Sequence, residues 1–184
     1  FRHMMQAQST FLFETPTFSV TRQAKAVFED LLARKVDVQV FTNSLESSDS
    51  LPLSVGNYEI RKWAKRGVKA YVHFHGEPDG ITDPADKKQN RFMVHSKAFV
   101  IDDRDVMVGS YNLDSRSENI NAEMAVLCVG NANLAKVMTD SIRERLRPDA
   151  ELTSRRVYFK DASLARRLLF YPLLPLFKIF KYEL

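Results

Sequence analysis

The sequence predicts an α/β fold built on a mostly parallel sheet with helices packed against it. Two observations carry that expectation. The first 74 residues alternate strand, helix, strand, helix, strand, and each strand–helix–strand step favours parallel neighbours. The composition is also globular: 184 residues, 45% hydrophobic and 27% charged, which fits one domain of ordinary size and leaves little room for two. Such numbers exclude a disordered tail protein and a collagen-like chain. A single cysteine, Cys128, excludes an internal disulfide framework and a cysteine-rich zinc module.

Phe11-Leu12-Phe13 is a short apolar strand that Pro16 ends. Ala24, Val27, Phe28, Leu31 and Leu32 recur at helical spacing, and Thr21 is placed to cap that helix. Val36, Val38, Val40 and Phe41 form a β-branched strand that opens into a polar loop, Thr42 to Ser50. Tyr58, Ile60, Trp63 and Ala64 suit a shorter helix ended by Gly67, and Val68 to Phe74 is the next strand. A polar loop runs from His75 to Asn90. Phe92–Ile101, Val106–Val108 and Met124–Val129 are further strands, and Leu134, Val137, Met138, Ser141 and Ile142 mark a last amphipathic helix.

The formal net charge of +4 is unevenly placed. Residues 155–184 hold seven basic residues (Arg155, Arg156, Lys160, Arg166, Arg167, Lys178 and Lys181) against Asp161 and Glu183, so this tail is +5 and the body −1. The expected division is a body at 8–150 and a basic, apolar tail at 151–184. From Leu164 onward the tail is rich in Leu, Phe and Tyr, but Pro172 and Pro175 break it, so a membrane span is not expected. Two readings fit equally: docking at an anionic bilayer surface, or packing over an apolar groove. A near-neutral body argues against nucleic acid as partner. The start, Phe1-Arg2-His3-Met4-Met5, shows no signal peptide.

Chemistry concentrates between residues 94 and 123. On a strand, residues two apart share a face, so His95 and Lys97 project together and Asp102 points the other way. A tight turn at Gly109 leads to Ser110 and Asn112, again two apart, and Glu123 can return a carboxylate to the same place. An imidazole, an ammonium, a hydroxyl, an amide and a carboxylate in one pocket suit a phosphate ester. Lys97, Ser110 and Asn112 would hold its oxygens. A neutral His95 could attack phosphorus if a carboxylate, with Glu123 the candidate, fixed its tautomer.

The spacing H-x-K-x4-D-x6-G-S-x-N is filled here by His95, Lys97, Asp102, Gly109, Ser110 and Asn112, and it resembles the signature of the phospholipase D superfamily. The run Val108 to Ser117 with Asn121-Ala122-Glu123, and the upstream Val36–Leu45 stretch ending Thr42-Asn43-Ser44, are similar to the second half of bacterial cardiolipin synthases. The resemblance covers roughly residues 10–150. It implies an α-β-α sandwich lobe with a mixed, mostly parallel sheet. It implies nucleophilic attack by His95 to give a phosphohistidine, without metal or cofactor, and phosphate binding by Lys97, Ser110 and Asn112. It further implies that Glu123 orients His95, that Asp102 and Gly109 are structural, and that the protein works peripherally at the inner membrane of a bacterium on phospholipid.

One departure matters. The chain has a single H-x-K, whereas the family's mechanism uses a second histidine to protonate the leaving alcohol. The missing histidine would come from another lobe. Either this is the second half of a two-motif enzyme, the favoured reading given the absent initiator Met, or two identical chains pair. The alternatives in function are a homodimeric phosphodiesterase or nuclease, and an incomplete lobe that only binds lipid. Asp114 and Arg116 are expected to pair and brace the loop, with Arg116 recognising lipid phosphate as the lesser reading. His73 and His75 share a strand face without an evident third metal ligand. Cys128 is expected to be a buried small hydrophobe.

Overall fold

A computed structural model describes residues 1–44, 59–73 and 93–146, with positions 164, 165, 168 and 172 of the tail. Most of the two expected polar loops, Tyr58, Phe74, His75, the boundary at 150/151 and nearly all of the tail lie outside the described residues.

Six strands form one sheet among the described residues: β1 (Thr10–Glu14), β2 (Asp37–Asn43), β3 (Lys69–His73), β4 (Ala98–Ile101), β5 (Asp105–Gly109) and β6 (Ala125–Cys128). Their order is β3-β2-β1-β4-β5-β6. The pairings β1–β2 and β2–β3 are parallel, but β1–β4, β4–β5 and β5–β6 are antiparallel. The sheet is therefore mixed, as expected, but not mostly parallel. The two crossovers give parallel pairing in the first half only, and the short turn at residues 102–104 makes the β4–β5 pair antiparallel.

Helix α1 (Arg22–Ala33) links β1 to β2, and Thr21 caps it by accepting from the Ala24 N–H at 3.1 Å. Residues 59–64 are helical, and Gly67 ends that segment with φ +113°, a conformation that favours glycine. Helix α3 (Ala132–Arg143) follows β6. Between β5 and β6 lies a short helix, α2 (Ser115–Asn119), where the sequence argued only a loop.

Period-2 alternation sends Phe11 and Phe13 of β1 to one face and Leu12 to the other. The first face packs Phe11, Phe13, Phe18, Phe28 and Phe99 into a run of stacked or tilted rings under α1, with Trp63 edge-on to Phe28. The second face packs Leu12, Phe41 and Val100 against Ala135 and Ile142 of α3. This is the expected α-β-α sandwich. Glu14 is buried beside it, 2% exposed, and accepts from Arg145 Nη2 at 2.7 Å.

The β4–β5 connection turns at Asp102 and Asp103, both with positive φ (53° and 47°), and Arg104 N–H closes it on the Ile101 carbonyl at 3.0 Å. Asp105 follows, buried, and gathers His3 Nε2, the Arg104 guanidinium and the Gly130 N–H around its carboxylate. The Arg104 hydrogen bond, outweighing desolvation and helped by Gly130 and the Arg104 and His3 charges, holds its pKa down to about 2.

Gly109 is the last residue of β5 and not the turn the sequence implied. A Cβ there would sit 2.3 Å from the Met124 carbonyl oxygen and 2.8 Å from Ala125 Cα, so the close passage of β6 requires glycine.

Two outcomes follow from these contacts. A carboxyl held below its unfolded pKa adds stability above about pH 4 and loses it as the pH falls toward 2. The Asp105→Asn variant should therefore be less stable at neutral pH and show a flatter decline of urea midpoint between pH 5 and pH 2. Gly109→Ala should push β6 away and destabilise by roughly 1–3 kcal/mol, read from the same urea midpoints.

Candidate active site

His95 and Lys97 do not lie on a regular strand. Residues 93–97 are irregular and β4 begins only at Ala98, so the strand expected over 92–101 is short by its first half. The segment is fixed from two sides. Lys97 O accepts from Gly109 N–H at 3.1 Å. Val94 donates its N–H to Asn43 Oδ1 at 2.8 Å and accepts from Asn43 Nδ2 at 2.9 Å. The two side chains still converge: Lys97 Nζ lies 3.3 Å from His95 Nδ1 and 3.5 Å from Nε2, and donates to the His95 carbonyl at 2.7 Å. His95 is exposed and Lys97 half-buried. Partial desolvation lowers the Lys97 pKa, and the Glu123 and Asp114 carboxylates oppose that.

The opposite wall comes from the end of β5 and the approach to β6. Ser110 N–H donates to the Met124 carbonyl at 2.9 Å, and Met124 N–H donates to Ser110 Oγ at 2.9 Å. Ser110 Oγ in turn donates to Glu123 Oε2, and Asn121 Nδ2 donates to Glu123 Oε1 at 3.1 Å. The Ser110 hydroxyl, then Ser117, hold the Glu123 pKa below the usual carboxylate range. Desolvation opposes them, and Asn121 and the Lys97 charge add to the lowering. In this arrangement Glu123 is hydrogen-bonded to Ser110 and Asn121, and the described hydrogen bonds include none between it and His95. The reason is local: β6 starts beside Ser110, and a hydroxyl one step away competes for the carboxylate. Ser110 has one proton and gives it to Glu123, so it is not offered to phosphate in this arrangement.

Asn112 is half-buried, and its Oδ1 is enclosed without a hydrogen-bond partner. Its N–H donates to Ser117 Oγ at 3.1 Å. Asp114 accepts from Ser117 N–H at 2.8 Å and so caps α2. It does not pair with Arg116, which is exposed; the expected ion pair gives way to the cap because Asp114 sits at the helix start.

Asp102 points away from the pocket, as its register predicted. Its carboxylate accepts from the N–H groups of Gln8, Ser9 and Thr10 and from Ser9 Oγ, all within 2.8–3.1 Å. Desolvation works against these bonds, but together they hold its pKa low. Cys128 is only half-buried, because β6 is the edge of the sheet; this corrects the buried reading. His73 is buried, edge-on to Phe41, with Nε2 unpartnered. Among the described residues no cluster of three His, Cys, Asp or Glu could hold a metal ion.

His95, Ser96, Lys97, Gly109, Ser110, Asn112, Asn121 and Glu123 line one open cavity of about 730 Å³. The Lys97 ammonium and the Asn112 amide can bind an anion there beside the exposed His95 imidazole. Two residues gain structural roles that composition did not assign. Asn121 holds Glu123, and Asn43 holds Val94; the signal for the second was a polar Thr-Asn-Ser end on an apolar strand.

Comparison with known proteins fits this geometry. A family model described as "Cardiolipin synthase, PLD-like domain" matches residues 1–146. Cardiolipin synthase C of Escherichia coli K12 is 30% identical over 110 residues, 58% of this chain and 23% of that enzyme. The chain spans about a quarter of the length of the curated relatives it matches. Among solved structures, the phospholipase D family member Nuc from Salmonella typhimurium superimposes with a TM-score of 0.60 at 17% identity, covering 81% of this chain and 84% of that one. Phosphatidylserine synthase of Haemophilus influenzae Rd KW20 superimposes with a TM-score of 0.69 at 14% identity, covering 98% of this chain and 43% of its own. At these identities the structural matches speak for the fold. With a family match over most of its length, the chain belongs to the cardiolipin synthase, PLD-like domain family.

Proposed function

We propose that this lobe transfers a phosphatidyl group, as a cardiolipin-synthase-like phosphatidyltransferase acting on phospholipid phosphodiesters. The observation that carries the reading is the convergence of His95, Lys97, Ser110, Asn112 and Glu123 on one cavity. His95 attacks phosphorus, the bond to the leaving alcohol oxygen breaks, and a phosphohistidine forms. Lys97 and Asn112 hold the non-bridging oxygens as charge builds on them. When phosphate enters, the Ser110 proton turns to it, and Glu123, released, takes the His95 N–H. A lipid alcohol or water then displaces His95 and takes over the phosphatidyl group.

The leaving alcohol needs a proton, and among the described residues His95 is the one imidazole that lines the cavity, so the reading includes a second lobe carrying its own histidine. An apolar strip beside the cavity suits such a partner: Ile120, Met124, Val126 and Val108 are 65%, 79%, 59% and 40% exposed. The basic, apolar tail supplies the contact with an anionic membrane surface. Among the described residues no helix is long and apolar enough to cross a membrane.

Two measurements test this. Bis(p-nitrophenyl) phosphate has a leaving group that departs without protonation, so a single lobe should release one p-nitrophenolate from it and, after acid-free quenching, carry the remaining p-nitrophenyl phosphoryl group on His95 by mass spectrometry. His95→Ala should lower that rate by on the order of 10³-fold and remove the label; full activity in His95→Ala would sink the mechanism. Removing residues 164–184 should abolish co-sedimentation with phosphatidylglycerol vesicles, and unchanged binding would overturn the membrane contact.

A further inference from the structure

The segment that carries His95 and Lys97 has an unusual support. Strand β4 pairs with β1 only from Ala98 onward, where Ala98 faces Glu14. Beyond Glu14 the first strand reaches Thr15 and Pro16 and leaves the ladder; Phe18 bridges instead to Leu113. Residues 93–97 therefore continue past the end of their neighbour. A backbone in that position has N–H and C=O groups that need partners.

Asn43 supplies them. It is the last residue of β2, two strands away from β4, and it is 3% exposed. Its amide oxygen accepts the Val94 N–H at 2.8 Å, and its amide nitrogen donates to Val94 O at 2.9 Å and to Pro16 O at 3.0 Å. One side chain thus pairs both backbone groups of Val94, as a strand neighbour would. The amide can face only one way: flipped, it would set NH₂ against N–H and C=O against two carbonyls. The same amide ties Pro16 and Val94 together across the gap that β1 leaves. The next residue after Val94 is His95, whose ring nitrogens lie 3.3 and 3.5 Å from Lys97 Nζ, itself on the same segment.

We infer that Asn43 is a positioning residue for the reaction: it fixes the backbone at Val94 and through it the place of the His95 imidazole in the cavity. Asn43 is not among the residues that line the cavity. The inference rests on the reading of His95 as nucleophile, and the following experiment separates the two.

The test compares the wild-type chain with Asn43→Asp, which keeps the shape and the acceptor for Val94 N–H but turns both donations into repulsions, and with Asn43→Ser, which is too short to span the gap. Amide hydrogen exchange and the ring resonances of His95 are recorded for each, and then the hydrolysis of bis(p-nitrophenyl) phosphate. In both variants, exchange at Val94 and its neighbours in 93–97 should quicken at least tenfold while α1 and β1 keep their protection. The His95 ring resonances should shift, and kcat should fall at least tenfold with KM changed less than twofold. Unchanged exchange at Val94 overturns the inference. So does an equal loss of protection across the whole sheet, or failure of both variants to fold, since Asn43 would then serve the fold alone. If the wild-type chain shows no hydrolysis and no label on His95, the nucleophile reading fails, and the exchange and ring signals still decide whether Asn43 sets the segment.

Discussion

The cavity depends on how closely β6 passes Gly109. With no side chain at that position, the Met124 carbonyl reaches the Ser110 N–H, and the paired Ser110 and Met124 align the strand start. Glu123, one residue earlier, is then delivered beside Ser110 and within electrostatic reach of Lys97. A methyl group at 109 would meet backbone and not a flexible side chain, so the neighbouring strand would have to yield. Steric permission at one residue sets the distance between the two walls that hold the imidazole and the carboxylate.

The motif residues divide by direction. His95 and Lys97 face the cavity, whereas Asp102 faces the N-terminal segment and binds Gln8, Ser9 and Thr10. Asp105, three residues on, anchors His3 and Gly130 in the same region. Two aspartates at one hairpin thus tie the chain's early residues to the half of the sheet that bears the site. A strand pair reaches the cavity at one end and is moored at the other, which limits how far the pair can slide.

Much of this was legible in the residues. The strand–helix–strand rhythm over the first 74 residues was right because both faces of β1 and β2 are buried, and apolar periodicity reports burial. The Thr21 cap and the Gly67 stop were local rules obeyed locally. The period-2 argument placed Asp102 on the far side correctly, although for His95 and Lys97 it gave the right pairing from the wrong backbone, since 93–97 is no strand. The antiparallel half of the sheet was not legible, because pairing direction depends on which strands meet and not on their sequence. The Glu123 contact was missed for a similar reason: residue types named the groups, but a hydroxyl and an imidazole compete for one carboxylate, and only distance decides between them. Asp114 was drawn to a helix end that sequence did not reveal, because a five-residue helix carries almost no periodicity.

Met124 belongs to two parts of the molecule at once. Its backbone exchanges two hydrogen bonds with Ser110, while the residue, 79% exposed, is the most open of the large apolar groups among the described residues. Anything that covers this side chain must grip the same residue that sets the serine. Were a neighbour at this edge to change the cavity's affinity for phosphate, phosphate would change the affinity for that neighbour by the same factor.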